Sequence, residues 1–173
     1  MKRNKAIDVM FWVIFVFYLI LMSGILFLRP SSDFTGINLI PFKSILAGIN
    51  VYNGIRYTLV DDQIWGNVLI FVPAGIYTMI LGKKNSIPKT MLVIFLISLA
   101  VEIIQYIFKI GASDIDDIIL NCLGGFIGVL IYRLLEKLFK TKEKTKNAVT
   151  IISLCIGAAV FLLVLILVLV NYV

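Results

Sequence analysis

The sequence predicts an all-α fold: a polytopic membrane helix bundle of about five transmembrane helices, with the N-terminus in and the C-terminus out. Three observations predict it. Hydrophobic residues make up 61% of the 173 and charged residues 15%, against about 45–50% and about 25% in soluble domains, and the mean hydropathy is +1.04. Five stretches are apolar and long enough to cross a bilayer, which takes roughly 17–25 residues. The Lys and Arg between them alternate in density, as membrane topology requires. The lipid bilayer is therefore the first partner of this chain.

The first stretch, Val9–Leu28, follows the basic residues Lys2, Arg3 and Lys5. Those residues resemble the charged start of a signal peptide. The apolar run is longer than the ~7–15 residues of a signal core and no A-x-A-like site follows, so a retained helix is expected. The next loop, Arg29 to Gln63, is long. Its segment Asn38–Ala47 has apolar positions that favour an interfacial or re-entrant segment, and Pro41 would break or begin a helix there. Tyr52 and Tyr57 suit the headgroup layer. Asp61-Asp62-Gln63 is a helix-start signature for the second span, Ile64–Leu81, where Pro73 and Gly75 mark a kink.

The third span, Met91–Phe108, is short like the second. The fourth, Ile115–Leu135, opens on Ser113-Asp114-Ile115-Asp116-Asp117, a capping side chain followed by acids at the positive end of the helix dipole. Lys137–Lys146 reads as a solvated cytoplasmic loop drawn to anionic headgroups. The fifth span, Ala148–Val170, has no charged residue and reads as an anchor or packing helix, with Ser153 and Gly157 on one small-residue face.

The basic residues fix the expected topology. Twelve fall on one side: the N-terminal three, Lys83, Lys84 and Lys89, and the six from Arg133 to Lys146. Four fall on the other, namely Arg29, Lys43, Arg56 and Lys109. The twelve belong in the cytoplasm. The net charge of +6 thus follows from topology, and no nucleic acid is implied. The chain reads as a single membrane domain over 1–173, its last helix, 148–173, being an addition.

The informative residues are the polar ones that hydrocarbon rejects. These are Asn67 in the second span, Glu102 and Gln105 in the third, and Asp116, Asp117 and Asn121 in the fourth, with Asp114 just before it. At 1.5 Å per residue, Asn67 lies ~5 Å, and Glu102 and Asn121 each ~9 Å, below the outer helix ends. Three helices therefore place these groups in the same outer third of the membrane. Glu102, Gln105 and Tyr106 share a face, as do Asp114, Asp117 and Asn121. The latter stripe continues into Gly124, Gly125 and Gly128, of which Gly124 and Gly128 form a G-x-x-x-G pair for close helix packing. Asp116 falls off this stripe and is expected to face the headgroups. Arg29, Arg56 and Lys109 are the cations on that side. Capping explains some of the aspartates; a carboxylate within a span, as at Glu102, points to a functional site.

No cofactor and no metal is assigned. The chain has no His, the commonest metal ligand and general base. Cys122 and Cys155 sit in apolar runs and read as packing residues.

Four segments together carry a family resemblance. They are Asn38-Leu39-Ile40-Pro41-Phe42, Gly66-Asn67-Val68-Leu69-Ile70-Phe71-Val72-Pro73, Glu102-x-x-Gln105, and Asp114-Ile115-Asp116-Asp117-x-x-x-Asn121-x-x-Gly124-Gly125. In this order, over residues 38–135, they resemble the motif set of the VanZ-like family of small bacterial membrane proteins, named after an accessory factor in teicoplanin resistance. The resemblance implies a multi-pass plasma-membrane protein and a role in reduced sensitivity to glycopeptide antibiotics. It also marks Asn38, Pro41 and Phe42 as a loop motif.

Two functions follow. The first is a non-enzymatic protein whose outer-leaflet polar site binds a cell-wall precursor, an envelope lipid or a membrane protein partner. Seven acids (Asp33, Asp61, Asp62, Glu102, Asp114, Asp116, Asp117) stand against four basic residues on that side, which favours a cationic or hydroxyl-rich ligand. The second is a membrane enzyme acting on a lipid-linked envelope substrate. There Glu102 and Asp117 would be an acid/base pair or ligands of a divalent cation. A carrier or channel fits less well, because the inner half has no matching polar path.

Overall fold

The computed structural model describes residues 5–27, 36–52, 57–82, 86–110 and 113–172, with side chains except at 50–52, 57–59, 171 and 172. Five helices are long and apolar enough to cross a membrane: α1 (Lys5–Phe27), α3 (Asp62–Leu81), α4 (Ile87–Phe108), α5 (Ile115–Phe139) and α6 (Lys142–Tyr172). The chain is an integral membrane protein of the all-α helical class, as its composition predicts. Arg29, Asp33, Arg56, Lys83 and Lys84 lie outside the described residues, as do the side chains of Tyr52 and Tyr57.

Helix ends follow local chemistry. Asp61 caps α3, its carboxylate accepting from Gln63 N at 2.9 Å, as the acidic start signature predicts. Helix α3 runs on through Pro73. Helix α4 begins after Ser86 with a Pro in its first turn and ends at Lys109, which is left-handed (φ 54°). At α5, Asp114 Oδ1 accepts from Asp116 N at 2.9 Å, the cap expected there.

The Lys-rich segment is a correction. It is mostly helix, because α5 continues to Phe139 and α6 restarts at Lys142. Lysine is a good helix former. Left-handed Lys140 (φ 64°) makes the corner, and Thr141 Oγ1 accepts from Lys144 N at 3.3 Å.

The chain divides into two compact units, Met1–Leu21 with Leu135–Val173, and Met22–Leu134. In the first, Lys146 Nζ pairs with Asp8 Oδ1 at 2.5 Å and lies 4.5 Å from the centre of the Phe11 ring. Lys146 is therefore not a solvated lysine. Phe11 is buried and stacks on Phe15. Buried Thr145 and Thr150 return their hydroxyls to the carbonyls of Thr141 and Lys146, one turn back. Beyond them α6 is apolar and mostly exposed from Ile151 to Val170, the pattern of a lipid-facing helix. A Cβ on Gly157 would meet only Phe17, at 3.9 Å, so the expected Ser153/Gly157 face is not closely packed there.

The second unit holds α3, α4, most of α5 and the loop between α1 and α3. Here glycine sets the helix spacing. A Cβ on Gly124 would run into the carbonyl oxygen of Val68, and one on Gly128 into that of Val72. Gly75 stands in the same way against the carbonyl of Gly125, and Gly125 against the side chain of Ile94. Backbones of α3 and α5 thus touch without side chains between them, which brings Cα–H groups onto facing carbonyls.

The described residues of the loop, 36–52 and 57–61, carry regular structure. Strand β1 (Ile37–Asn38) runs parallel to β4 (Ser113–Asp114), in register Ile37 with Ser113 and Asn38 with Asp114. A short helix, α2 (Lys43–Ala47), follows, then an antiparallel pair, β2 (Ile49–Tyr52) and β3 (Tyr57–Val60).

Candidate functional site

The site lies in the second unit, where α3 and α5 begin and α4 ends. Helix α4 turns Thr90, Ile94, Ser98 and Glu102 into its buried face, a stripe of four-residue steps that one helix face requires. Helix α5 buries Asp116, Asn121, Gly124, Gly125 and Gly128, and α3 buries Asn67 and Val68. The glycine contacts hold α3 against α5, so Asn67 and Asp117 come within reach.

Three layers of hydrogen bonds result. In the outermost, Asn38 Nδ2 donates to Asp114 Oδ1 at 2.9 Å and to Ser44 Oγ at 3.1 Å, and the Ser44 hydroxyl donates to Asp114 Oδ2. Asp116 Oδ1 accepts from Phe42 N at 2.5 Å, while its Oδ2 accepts from Ser44 N at 2.8 Å and Ile45 N at 3.1 Å. One carboxylate thereby receives the N–H groups opening α2, which intrahelical bonding leaves free. Phe42 is left-handed there (φ 64°, ψ 3°), an uncommon state for a bulky residue.

In the middle layer, Glu102 Oε2 accepts from Asp114 N at 2.8 Å, and Asn67 Nδ2 donates to Asp117 Oδ1 at 2.5 Å. Glu102 and Asn67 are 3% and 2% exposed. In the innermost layer, Asn121 Nδ2 donates to Ser98 Oγ at 2.9 Å, both side chains being buried. Outside these layers, and nearer the end of α4 than Glu102, Gln105 Nε2 donates to the Leu26 carbonyl at 2.9 Å. Asn121 Oδ1 and Gln105 Oε1 are buried and have no hydrogen-bond partner among the described residues.

Hydrogen bonds thus join Asn67 to Asp117 and Glu102 to the Asp114 backbone, whereas Gln105 goes to the Leu26 carbonyl and Asn121 to Ser98. Two side chains depart from their expected directions. Asp116 does not face the headgroups. It is fully buried, because the free N–H groups of α2 come to it from 71–74 residues away in sequence. Tyr106 does not go in with Glu102; it is exposed, one four-residue step past the last buried position of the stripe. Lys109 lies on the exposed helix end. Sequence reasoning missed Ser44, Ser98 and the Leu26 carbonyl. Ser98, one turn before Glu102 in an apolar run, carried the one signal that was available.

The chemistry on offer is carboxylate and amide. Among the described residues, no group of three or more Cys, Asp or Glu is arranged to hold a metal ion. Cys122 is half-buried and Cys155 exposed, both free thiols.

The VanZ/LLP1 family model matches residues 10–136. The chain belongs to the VanZ/LLP1 family. Protein VanZ of Enterococcus faecium is 40% identical over 77 residues, which cover 44% of this chain and 48% of that protein. The match thus spans about half the length of that relative. No solved structure matches the chain. The VanZ/LLP1 match takes in all three polar layers, since Asn38 through Asn121 fall within it. It stops before the end of α5, so α6 lies outside it.

Proposed function

We propose that this protein is a multi-pass, non-enzymatic protein of the bacterial plasma membrane, with its N-terminus inside, whose outer-leaflet polar site binds a cell-envelope ligand and so lowers sensitivity to teicoplanin-type glycopeptides. The observation that carries this reading is the convergence of three helices on buried polar groups: buried Asn67 donates to half-buried Asp117, and buried Glu102 accepts from the backbone of Asp114, three residues before Asp117. Ionisable side chains in a membrane interior are costly and mark ligand or ion sites. The excess of Lys and Arg on the other side of the chain supports an outer position.

The geometry divides the acids by role. Asp114 and Asp116 use their oxygens on Asn38, Ser44 and the α2 backbone, so they hold the loop. Glu102 and Asp117, with Asn67, are the ligand-facing groups in this reading. The unpartnered acceptor oxygens of Asn121 and Gln105 favour a ligand that donates hydrogen bonds, such as an ammonium or a hydroxyl group. VanZ/LLP1 membership and the likeness to Protein VanZ support the link to glycopeptides.

The test compares teicoplanin susceptibility of cells expressing, at matched levels, the wild type, a Glu102→Gln/Asp117→Asn double variant, or neither. Protection by the wild type and its loss in the double variant is expected. Equal protection by both proteins would remove this cluster from the mechanism.

A further inference from the structure

We propose that residues 39–46 form an apolar wedge that inserts among the acyl chains of the leaflet at the end where α3 and α5 begin. Leu39, Ile40, Phe42 and Leu46 are between 54% and 72% exposed, a cluster of large apolar side chains on a loop that the fold has ordered. Two attachments set its depth. On one side Asn38 is bonded to Asp114, and its own Oδ1 accepts from Ile40 N at 3.2 Å. On the other, the N–H groups of Phe42, Ser44 and Ile45 go to Asp116. Asp114 and Asp116 flank Ile115, the first residue of α5, where its apolar span opens. The segment pinned to them therefore projects from the helices at the boundary of headgroups and acyl chains.

Lipid is the occupant that the surroundings select. Gly48, two residues past Leu46, packs against Ile64 of α3, and the same membrane-spanning helix exposes its apolar residues Trp65 and Leu69. Exposed Lys43 follows Phe42, and its stem is long enough to lie along the apolar surface while its ammonium reaches the phosphates. This assignment is independent of the function proposed above.

The test is depth-dependent quenching. In full-length protein with Trp12→Phe and Trp65→Phe, a single tryptophan is introduced as Ile40→Trp or, separately, Leu46→Trp. Each protein is reconstituted in phosphatidylcholine vesicles with plain or acyl-brominated chains, and aqueous iodide is added to the plain ones. At both positions the brominated lipid is expected to remove at least half of the emission, with iodide removing less than a tenth. Strong iodide quenching without bromolipid quenching places the segment in water and overturns the proposal. Quenching by neither means that protein covers the segment, and overturns it equally.

Discussion

Phe42 donates its backbone N–H to Asp116 Oδ1 at 2.5 Å across 74 residues of sequence. With the two bonds to Asp116 Oδ2, this contact ties the α1–α3 loop to the start of α5. It also separates the acids that build the mouth of the site from those that stand inside it.

Asp116→Asn keeps the side chain's shape and one acceptor oxygen but loses the charge that three N–H groups share. Hydrogen bonds to charged groups contribute about 1.5–3 kcal/mol, and a buried donor left unpaired costs about 1–3 kcal/mol. The expected loss is about 3 kcal/mol, read by denaturant unfolding of the purified protein in detergent. Asp61→Ala removes an ordinary helix cap and should cost about 1 kcal/mol. Equal losses would show that Asp116 is no more than a cap.

Gly124→Ala puts a methyl group onto the Val68 carbonyl, and Gly128→Ala onto that of Val72. Neither carbonyl can yield without moving α3, so each substitution should destabilise by about 3 kcal/mol, the upper part of the overpacking range. Gly157→Ala has room and should change stability by less than about 0.5 kcal/mol. The same unfolding measurement ranks the three, and a Gly124→Ala protein as stable as the wild type would contradict the close approach.

Ser98→Ala leaves the buried Asn121 amide without its partner and should cost about 2 kcal/mol. Adding Asn121→Leu removes the remaining polar group, and the double variant should recover most of that loss. If the double variant is the less stable of the two, the pair does more than satisfy itself.

Asp8 and Lys146 are both partly buried, and Lys146 also lies over Phe11. A double-mutant cycle with Asp8→Asn and Lys146→Met should return a coupling of about 1 kcal/mol, weakened by high salt. A coupling indistinguishable from zero at low salt would reduce the pair to a surface contact.

Orientation is open to labelling. With Cys122→Ala and Cys155→Ala, a cysteine at exposed Asp62 should react with a membrane-impermeant maleimide in intact cells, and one at Lys84 only after lysis. The reverse pattern would turn the site toward the cytoplasm and end its connection with the outer leaflet.

Much of this was legible in the sequence because hydropathy is a local property. Each span declared itself by a run of apolar residues, and a fixed rise per residue then placed Asn67, Glu102 and Asn121 at similar depth. The G-x-x-x-G pair announced a close helix contact in the same way. The direction of Asp116, the partners of Asp114, the part played by Ser98 and the seat of Lys146 were not legible. On the helical wheel of α5 alone, Asp116 falls outside the polar stripe of Asp114, Asp117 and Asn121. Its true partners are backbone N–H groups of a helix five residues long, which sequence pattern does not assign to any acceptor. Composition and periodicity alone determined that this chain crosses a membrane with α-helices and gathers acids and amides near one end of them. Only the tertiary structure decided which carboxylates hold the loop and which lie deeper, because donors must find acceptors wherever the fold brings them, at any distance along the chain.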